Sequence, residues 1–168
     1  MIDKVAIMNE ARERYRLEHE KEIKREAGVS FRRYKNEPLF IAGVTLYWGE
    51  GKTTRRDVWN LELNNTDPNL LKLYCSFLRK YLKVDDSLFR VRLFLYTDLN
   101  EEKCKSFWSE LLGISLSQFI KSYISESRSS VTKNRLPYGT CSVYISSKDL
   151  RTTMAIWIEQ LVNLYIKN

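Results

Sequence analysis

Hydrophobic and polar positions follow two different periods along the chain, and together they predict the order of its secondary structure. Apolar residues recur at helical spacing in four segments, at 39–50, 68–83, 100–113 and 148–166. Apolar and polar residues alternate strictly, as in half-buried strands, in four others, at 58–64, 88–96, 119–125 and 140–146. This order predicts an α+β fold in which helices back one face of an antiparallel sheet of about four strands.

Local signals refine this prediction. Gly51 follows the first of these helices and is expected in the left-handed conformation that often ends a helix. A single strand is predicted between this helix and the next, and the strands at 119–125 and 140–146 are predicted to form a hairpin with a long, basic tip. Three tryptophans fall at inward positions and are expected in the core: Trp59, Trp108 and Trp157.

The segment before Pro38 has a different character. Residues 2–27 are dense in Glu, Lys and Arg, which predicts a solvated helix that stops at Gly28. Residues 29–37 are predicted to be a basic linker. The expected organisation is therefore a charged helical extension with its linker, 1–37, followed by a globular domain, 38–168.

Composition narrows the class of protein. With 43% hydrophobic residues the 168-residue chain can bury a core, yet its longest apolar runs are too short to cross a bilayer. Acidic residues interrupt the N-terminal segment, so no secretory signal is predicted and the protein is expected in the cytoplasm. The three widely spaced cysteines are expected to be reduced core residues, and a single histidine argues against a zinc site or a Ser-His-Asp hydrolase.

The net charge of +7 favours a polyanionic partner, although many basic proteins bind none. The outward positions of the predicted sheet carry side chains that hydrogen-bond to bases and phosphates: Asn60, Glu62, Asn64, Arg90, Arg92, Lys121, Tyr123, Thr140, Ser142 and Tyr144. The alternative is an ordinary sheet with one solvated face. Basic loop residues are further candidates for DNA contacts, with a solvated loop as the alternative: Arg55, Arg56, Arg128, Lys133 and Arg135.

The segment 43–51, Gly-Val-Thr-Leu-Tyr-Trp-Gly-Glu-Gly, places Glu50 at the end of an apolar helix, where the helix dipole disfavours a negative charge. Small residues on this helix would allow a second helix to approach closely about a two-fold axis. Two Glu50 carboxylates would then need a divalent cation or protons, and Mg²⁺ (or Mn²⁺) suits hard oxygen ligands near phosphates. The predicted dimer interface consists of Gly43, Thr45, Leu46, Trp48 and Gly49.

This segment resembles the motif helix of the LAGLIDADG homing endonucleases, which ends in acid-glycine and precedes strands that form a saddle on DNA. It is also similar to short prokaryotic LAGLIDADG-like proteins with a Tyr-Trp-Gly-Glu-Gly signature, which share the Leu-Pro-Tyr-Gly-Thr-Cys stretch found here at 136–141. The resemblance covers about 39–166. It implies a saddle-shaped sheet, metal binding at Glu50 and Gly49, and a protein of the prokaryotic cytosol or nucleoid. The single motif implies a homodimer on a near-palindromic site in double-stranded DNA.

Two functions follow from this resemblance. The first is an Mg²⁺-dependent, sequence-specific DNA endonuclease of intron or intein mobility type, in which Glu50 holds the metal. One of four basic residues then orients water or stabilises charge: Lys52, Arg55, Arg56 or Lys121. For each of the four, simple phosphate anchoring is the alternative. The second is a DNA-binding regulator, or domesticated relative, that does not cleave. RNA binding, including assistance to intron splicing, is a further alternative.

Overall fold

Helices and strands alternate along the chain in the predicted α+β order. The computed structural model describes residues 4–52, 59–126 and 136–166. These residues contain five helices: α1 (Lys4–Tyr34), α2 (Pro38–Glu50), α3 (Pro68–Tyr81), α4 (Glu101–Leu112) and α5 (Lys148–Ile166). They contain four strands in one open sheet: β1 (Asn60–Asn65), β2 (Arg90–Tyr96), β3 (Tyr123–Ser125) and β4 (Thr140–Ser146).

The sheet is mixed, in the order β1-β4-β2-β3. Strand β4 pairs antiparallel with both β1 and β2, whereas β3 runs parallel to β2. The predicted hairpin between 119–125 and 140–146 is therefore wrong, and so is a fully antiparallel sheet. The physical reason is that β1 and β2 occupy both edges of β4, while helix α4 provides the long crossover that a parallel neighbour of β2 requires.

A short extended segment follows α2 and pairs with β1, whereas only one strand was predicted between α2 and α3. Gly51 forms an antiparallel bridge with Leu63, and the backbone N–H of Lys52 donates to the carbonyl oxygen of Glu62 at 3.1 Å. Gly51 is extended, with φ −79°, and not left-handed as predicted. A glycine is still required, because a Cβ atom there would lie 2.5 Å from the carbonyl oxygen of Tyr47.

The ends of the other helices follow their local sequence. Asp67 accepts hydrogen bonds from the backbone N–H groups of Asn69 and Leu70, and so caps the start of α3. Asn100 caps α4 in the same way, and Gly113, at φ +64°, ends α4 in the left-handed conformation. Helix α5 has the predicted bounds. None of the helices in the described ranges has the length and apolar character needed to span a membrane.

The hydrophobic core lies between the helices and one face of the sheet. Its aromatic centre includes Phe40 of α2 and Trp157 of α5, whose ring centroids are 4.8 Å apart in an edge-on arrangement. Trp108 and Trp157 are buried as predicted, but Trp59 is 61% exposed. It precedes β1 and lies outside the alternating strand, where the Nζ atom of Lys148 is 5.2 Å from its ring.

Helix α1 does not stop at Gly28 and continues to Tyr34, so most of the predicted linker is helical. The Nε1–H group of Trp157 donates to the carbonyl oxygen of Ala27 at 3.0 Å, and Ala27 and Phe31 are buried in the core. This packing against α5 outweighs the roughly 1 kcal/mol that a glycine costs inside a helix. The last turns of α1 thus belong to the core, whereas its earlier turns are exposed.

Candidate nucleic-acid interface

The face of the sheet opposite the helices carries polar, basic and aromatic side chains in rows that cross the strands. The strand register places Glu62, Tyr144 and Arg90 side by side in one row. The next row consists of Asn64, Ser142 and Arg92. We refer to the outward positions of β1 to β4 as the outer face. It is the surface on which most of the predicted DNA contacts fall.

Lys52 and Glu62 form an ion pair at one side of the outer face. The Nζ atom of Lys52 is 2.7 Å from Oε1 of Glu62, and Oγ of Ser142 donates to the same oxygen at 2.8 Å. The segment after α2 pairs with β1, so Lys52 and Glu62 are cross-strand neighbours. Glu62 is only 9% exposed, and a carboxylate at that depth needs such partners.

This network changes the interpretation of several predicted DNA-binding residues. Ser142 is 1% exposed and Glu62 is buried beside it, so neither side chain is available to contact a base. Asn60 accepts a hydrogen bond from Oγ of Ser146 at 2.6 Å. Asn64 and Tyr144 are half-buried. Glu62, Ser142 and Asn60 are thus hydrogen-bonded within the chain, whereas Oδ1 of Asn64 is buried without a hydrogen-bond partner among the described residues.

The two arginines of β2 differ in their availability. The guanidinium of Arg90 donates to the carbonyl oxygens of Ser87 and Phe89, both at 2.7 Å. Arg92 is exposed on the outer face, in the row of Asn64 and Ser142. Arg92 is therefore the cation of β2 that is better placed to meet a phosphate or a base edge.

Lys121 and Tyr123 are both exposed, Tyr123 in β3 and Lys121 just before that strand. Thr140 begins β4 and is half-buried beside Phe94. The remaining predicted contacts lie outside the described residues: Arg55, Arg56, Arg128, Lys133 and Arg135. Phe94 and Tyr96 also point to the outer face and were not among the predicted site residues. Their alternation with Val91, Leu93 and Leu95 was the signal that could have identified them.

Glu50 is exposed at the end of α2, two residues before Lys52. Its Oε2 atom is 3.5 Å from the Nδ2 atom of Asn65, at the end of β1. The Oδ1 atom of Asn65 accepts from the backbone N–H groups of Thr66 and Asp67, which fixes the amide with its NH₂ group toward Glu50. Asn65 was not among the predicted site residues, because its contact with Glu50 joins two segments that are 15 residues apart in the chain.

The predicted dimer residues divide between two faces of α2. Thr45, Trp48 and Gly49 are exposed, with Trp48 at 44%, and a Cβ atom on Gly49 would meet nothing within 4 Å. Leu46 is half-buried. Gly43 faces the interior, because a Cβ atom there would lie 2.1 Å from Cδ2 of Phe77. It therefore does not lie on the exposed side of α2. We call Ala42, Thr45, Trp48 and Gly49 the α2 strip.

The oxygen donors available for Mg²⁺ in one chain are few. Among residues 4–52, 59–126 and 136–166, no group of three or more His, Cys, Asp or Glu side chains is arranged to hold a metal ion. Glu50 supplies one exposed carboxylate next to the amide of Asn65. Mg²⁺ is commonly held by one or two carboxylates together with phosphates and water. The donors therefore fit this ion only in a site completed by a second chain and a phosphate backbone.

The thiols and phenols buried near the sheet are unreactive at neutral pH. Burial raises the pKa of the Cys75 thiol to about 12 and raises the pKa of the Cys141 thiol well above its usual value. The stacked phenols of Tyr47 and Tyr74 also have pKa values raised by burial. All three cysteines are free and buried, as predicted. These groups stay protonated near neutral pH and have a structural role.

Comparisons of the chain with protein families, with curated proteins and with solved structures find no match.

Proposed function

We propose that the protein binds double-stranded DNA in a sequence-specific manner as a homodimer, with a LAGLIDADG-like fold and metal-dependent phosphodiester cleavage. The observation that carries this proposal is the position of Glu50. Helix α2 ends at the edge of the sheet, and the chain continues at once into a segment paired with β1. The Glu50 carboxylate therefore lies at the end of β1, 3.5 Å from Nδ2 of Asn65 and two residues before Lys52, which pairs with Glu62 on the outer face.

The charge distribution supports DNA as the partner. Arg92, Lys121 and the half-exposed Lys52 present cations on or beside the outer face, in a chain with a net charge of +7. Cations on one face attract the phosphate backbone, whereas the polar side chains between them are suited to contact base edges. The ion pair with Glu62 holds Lys52 close to the edge where Glu50 lies.

The proposed metal site needs both chains. The α2 strips of two protomers would pack together, since small residues allow close approach of two helices, and each chain would contribute the carboxylate of Glu50 and the carbonyl oxygen of Gly49. A bound Mg²⁺ ion supplies activation of water and stabilisation of the leaving oxygen. Lys52 neutralises charge on the phosphate, and Lys121 anchors the backbone farther along the face.

DNA binding is tested by a selection from a random duplex library, followed by titration of the selected duplex with two charge-matched variants. Arg92→Ala removes a cation of the outer face, and Arg33→Ala removes an exposed cation from the last turn of α1. Loss of a phosphate contact reduces the salt dependence by about one counterion, and loss of a base contact costs about 1–3 kcal/mol. We expect such losses for Arg92→Ala only. Equal effects of the two variants would overturn the proposed face.

Cleavage is tested with the selected duplex, Mg²⁺ and the variant Glu50→Gln. Glu159→Gln, at an exposed glutamate of α5, is the matched control. We expect cutting by the wild type and by Glu159→Gln, and binding without cutting by Glu50→Gln. Cutting by Glu50→Gln at the wild-type rate would exclude Glu50 as the metal ligand.

The homodimer is tested by sedimentation with two tryptophan variants. Trp48→Arg places a charge on the α2 strip, and Trp59→Arg makes the same change at an exposed tryptophan outside it. A charge buried in an interface is costly, so we expect dissociation of the dimer for Trp48→Arg alone. A wild-type monomer at high micromolar concentration would contradict the homodimer.

A second candidate is a DNA-binding regulator that does not cleave. It is favoured by the small donor set, since no group of three or more possible metal ligands occurs among the described residues and Glu50 contacts the amide of Asn65. In that case Glu50 acts as a hydrogen-bonding group at the interface. Sequence-selective binding by wild type and Glu50→Gln, with cutting by neither, identifies this function.

A further inference from the structure

Three aromatic side chains share the end of the outer face formed by β2 and β3. Phe94 and Tyr123 are register partners, and their ring centroids are 6.2 Å apart at an interplanar angle of 49°. Tyr96 lies two residues beyond Phe94 on the same face. Tyr123 is 62% exposed, and Phe94 and Tyr96 are half-buried. We call these residues the aromatic cluster.

The aromatic cluster is not part of the hydrophobic core. Val91, Leu93 and Leu95 point to the helices and are buried, so the alternate residues of β2 necessarily point away from them. The rings therefore keep apolar surface toward solvent, on the face of the sheet that does not contact the core. Exposed aromatic surface grouped in this way commonly marks a binding site.

Two cations precede the aromatic cluster along its strands. Arg92 precedes Phe94 by two residues on the same face, which corresponds to about 6.6 Å along a strand. Lys121 precedes Tyr123 by the same number of residues. The outward positions of β2, β3 and β4 include no acidic side chain. An anionic partner with flat, apolar groups matches this combination of charge and rings.

Paired bases inside a duplex expose only their edges, and a Phe94 ring can form no hydrogen bond with those edges. An unpaired base exposes its whole face and stacks on aromatic side chains, while cations beside the rings hold the backbone. We propose that Phe94, Tyr96 and Tyr123 form a stacking site for unpaired bases next to the bound duplex. This inference rests on the proposed function, because the duplex positions the strand that reaches the cluster.

The experiment compares the selected duplex with blunt ends to the same duplex with a three-nucleotide single-stranded extension on either strand. Because one stacked base improves affinity by roughly 5-fold to 150-fold, we expect a gain in that range for one of the extended duplexes. A 2-aminopurine base in that extension is expected to lose fluorescence on binding, as it stacks on a ring.

Variants of the aromatic cluster test whether its rings are the source of the gain in affinity. We expect Phe94→Leu to lose it while binding the blunt duplex within about two-fold of wild type, because leucine keeps apolar volume but has no ring. Tyr123→Leu is expected to lose the gain as well, whatever its effect on the blunt duplex. Tyr123→Phe is expected to retain the gain. Tyr165→Leu, at an exposed tyrosine near the end of α5, is the matched control and is expected to behave as wild type.

The outcomes separate this inference from the proposed function. Binding of the blunt duplex with no gain from either extension, or a gain that Tyr123→Leu retains, overturns the stacking site and leaves duplex binding in place. Binding of single-stranded DNA without binding of the blunt duplex overturns the proposed function, and retention of that binding by Tyr123→Leu overturns the stacking site as well. Failure to bind any of these molecules overturns both.

Discussion

Lys52 and Glu62 are held together by the strand pairing that follows α2, with 2.7 Å between Nζ of Lys52 and Oε1 of Glu62. The side chain of Glu62 is 12% exposed and that of Lys52 is 46% exposed, so the carboxylate depends on the pair more than the ammonium does. We expect Lys52→Met to lower the free energy of unfolding by about 1–2 kcal/mol, a value reduced by solvent screening at the lysine. Urea unfolding measures this change.

The sign of the stability change caused by Glu62→Gln, measured in the wild type and in Lys52→Met, distinguishes the ion pair from a packing effect. Glu62→Gln should destabilise the wild type but stabilise the Lys52→Met variant, because it removes a carboxylate that no longer has a cation. Lys72→Met, at an exposed lysine of α3, serves as the control and is expected to change stability by less than about 0.5 kcal/mol. Additive effects of Lys52→Met and Glu62→Gln would show that the two side chains are not coupled.

Gly43 and Gly49 offer the same substitution on opposite faces of α2. In Gly43→Ala the new methyl group would overlap the buried ring of Phe77, and we expect a loss of about 1–3 kcal/mol from overpacking. In Gly49→Ala the methyl group meets nothing among the described residues of its own chain, so at concentrations where the protein is monomeric the higher helix propensity of alanine should stabilise it by up to about 1 kcal/mol. Thermal unfolding of the two variants compares them directly. A tolerated Gly43→Ala would place that glycine on the surface, as the sequence had suggested.

The sequence predicted the helices better than the pairing of the strands, and for a physical reason. Helix boundaries depend on neighbouring residues, such as the cap at Asn100 and the left-handed Gly113, which are visible in the sequence. Alternation identifies the two faces of a strand but not its neighbours, so the parallel pairing of β3 with β2 could not be predicted. Gly28 suggested the end of a helix, as glycine often does. Helix α1 continues past it because this region packs against α5, whose residues are far away in the chain.

The same distinction applies to the candidate site. Alternation correctly placed Arg92, Tyr123 and Glu62 on one face of the sheet. It could not reveal that Glu62 and Ser142 bury each other, because that contact depends on β4 lying beside β1. It also could not reveal which side of α2 the Gly43 position faces. Side-chain identity and spacing thus predicted the surface, and tertiary contacts determined which of its residues are accessible.

Trp157 connects α1 to the core and provides a test of the docking of that helix. Its Nε1–H group donates to the carbonyl oxygen of Ala27 at 3.0 Å and lies 3.1 Å from Oγ of Ser30. Trp157→Phe removes this donor and leaves a buried carbonyl with one partner fewer, so we expect a loss of about 1–3 kcal/mol. Hydrogen exchange should accelerate most for the amides of 27–34.

The exposed Trp59 is the matched control for that substitution. Trp59→Phe is expected to change the unfolding free energy by less than about 0.5 kcal/mol and to leave hydrogen exchange in α1 unaltered. Uniform acceleration throughout the protein in Trp157→Phe would argue against a local role of this tryptophan in docking α1.

The raised pKa of Cys75 predicts a loss of stability at alkaline pH. Burial favours the neutral thiol, so its pKa is about 12 in the folded chain against 9.0 for an ordinary thiol. A group whose folded pKa is raised contributes stability that is complete below the unfolded pKa and is lost as pH rises through the folded one. The window therefore runs from about pH 9 to about pH 12, with a slope of at most about 1.4 kcal/mol per pH unit from this thiol.

Cys75→Ala should therefore show a shallower decline of unfolding free energy between pH 9 and pH 11 than the wild type, whatever its stability at neutral pH. Tyr47, Tyr74 and Cys141 also have raised pKa values and contribute to the decline in both proteins. The difference in slope therefore reports Cys75 together with its smaller effect on the pKa values of Tyr74 and Cys141. Ser76→Ala, at the exposed neighbour, should leave the slope unchanged. Parallel curves for wild type and Cys75→Ala would mean that the Cys75 thiol titrates alike in the folded and unfolded chain, and its burial would then have no energetic consequence.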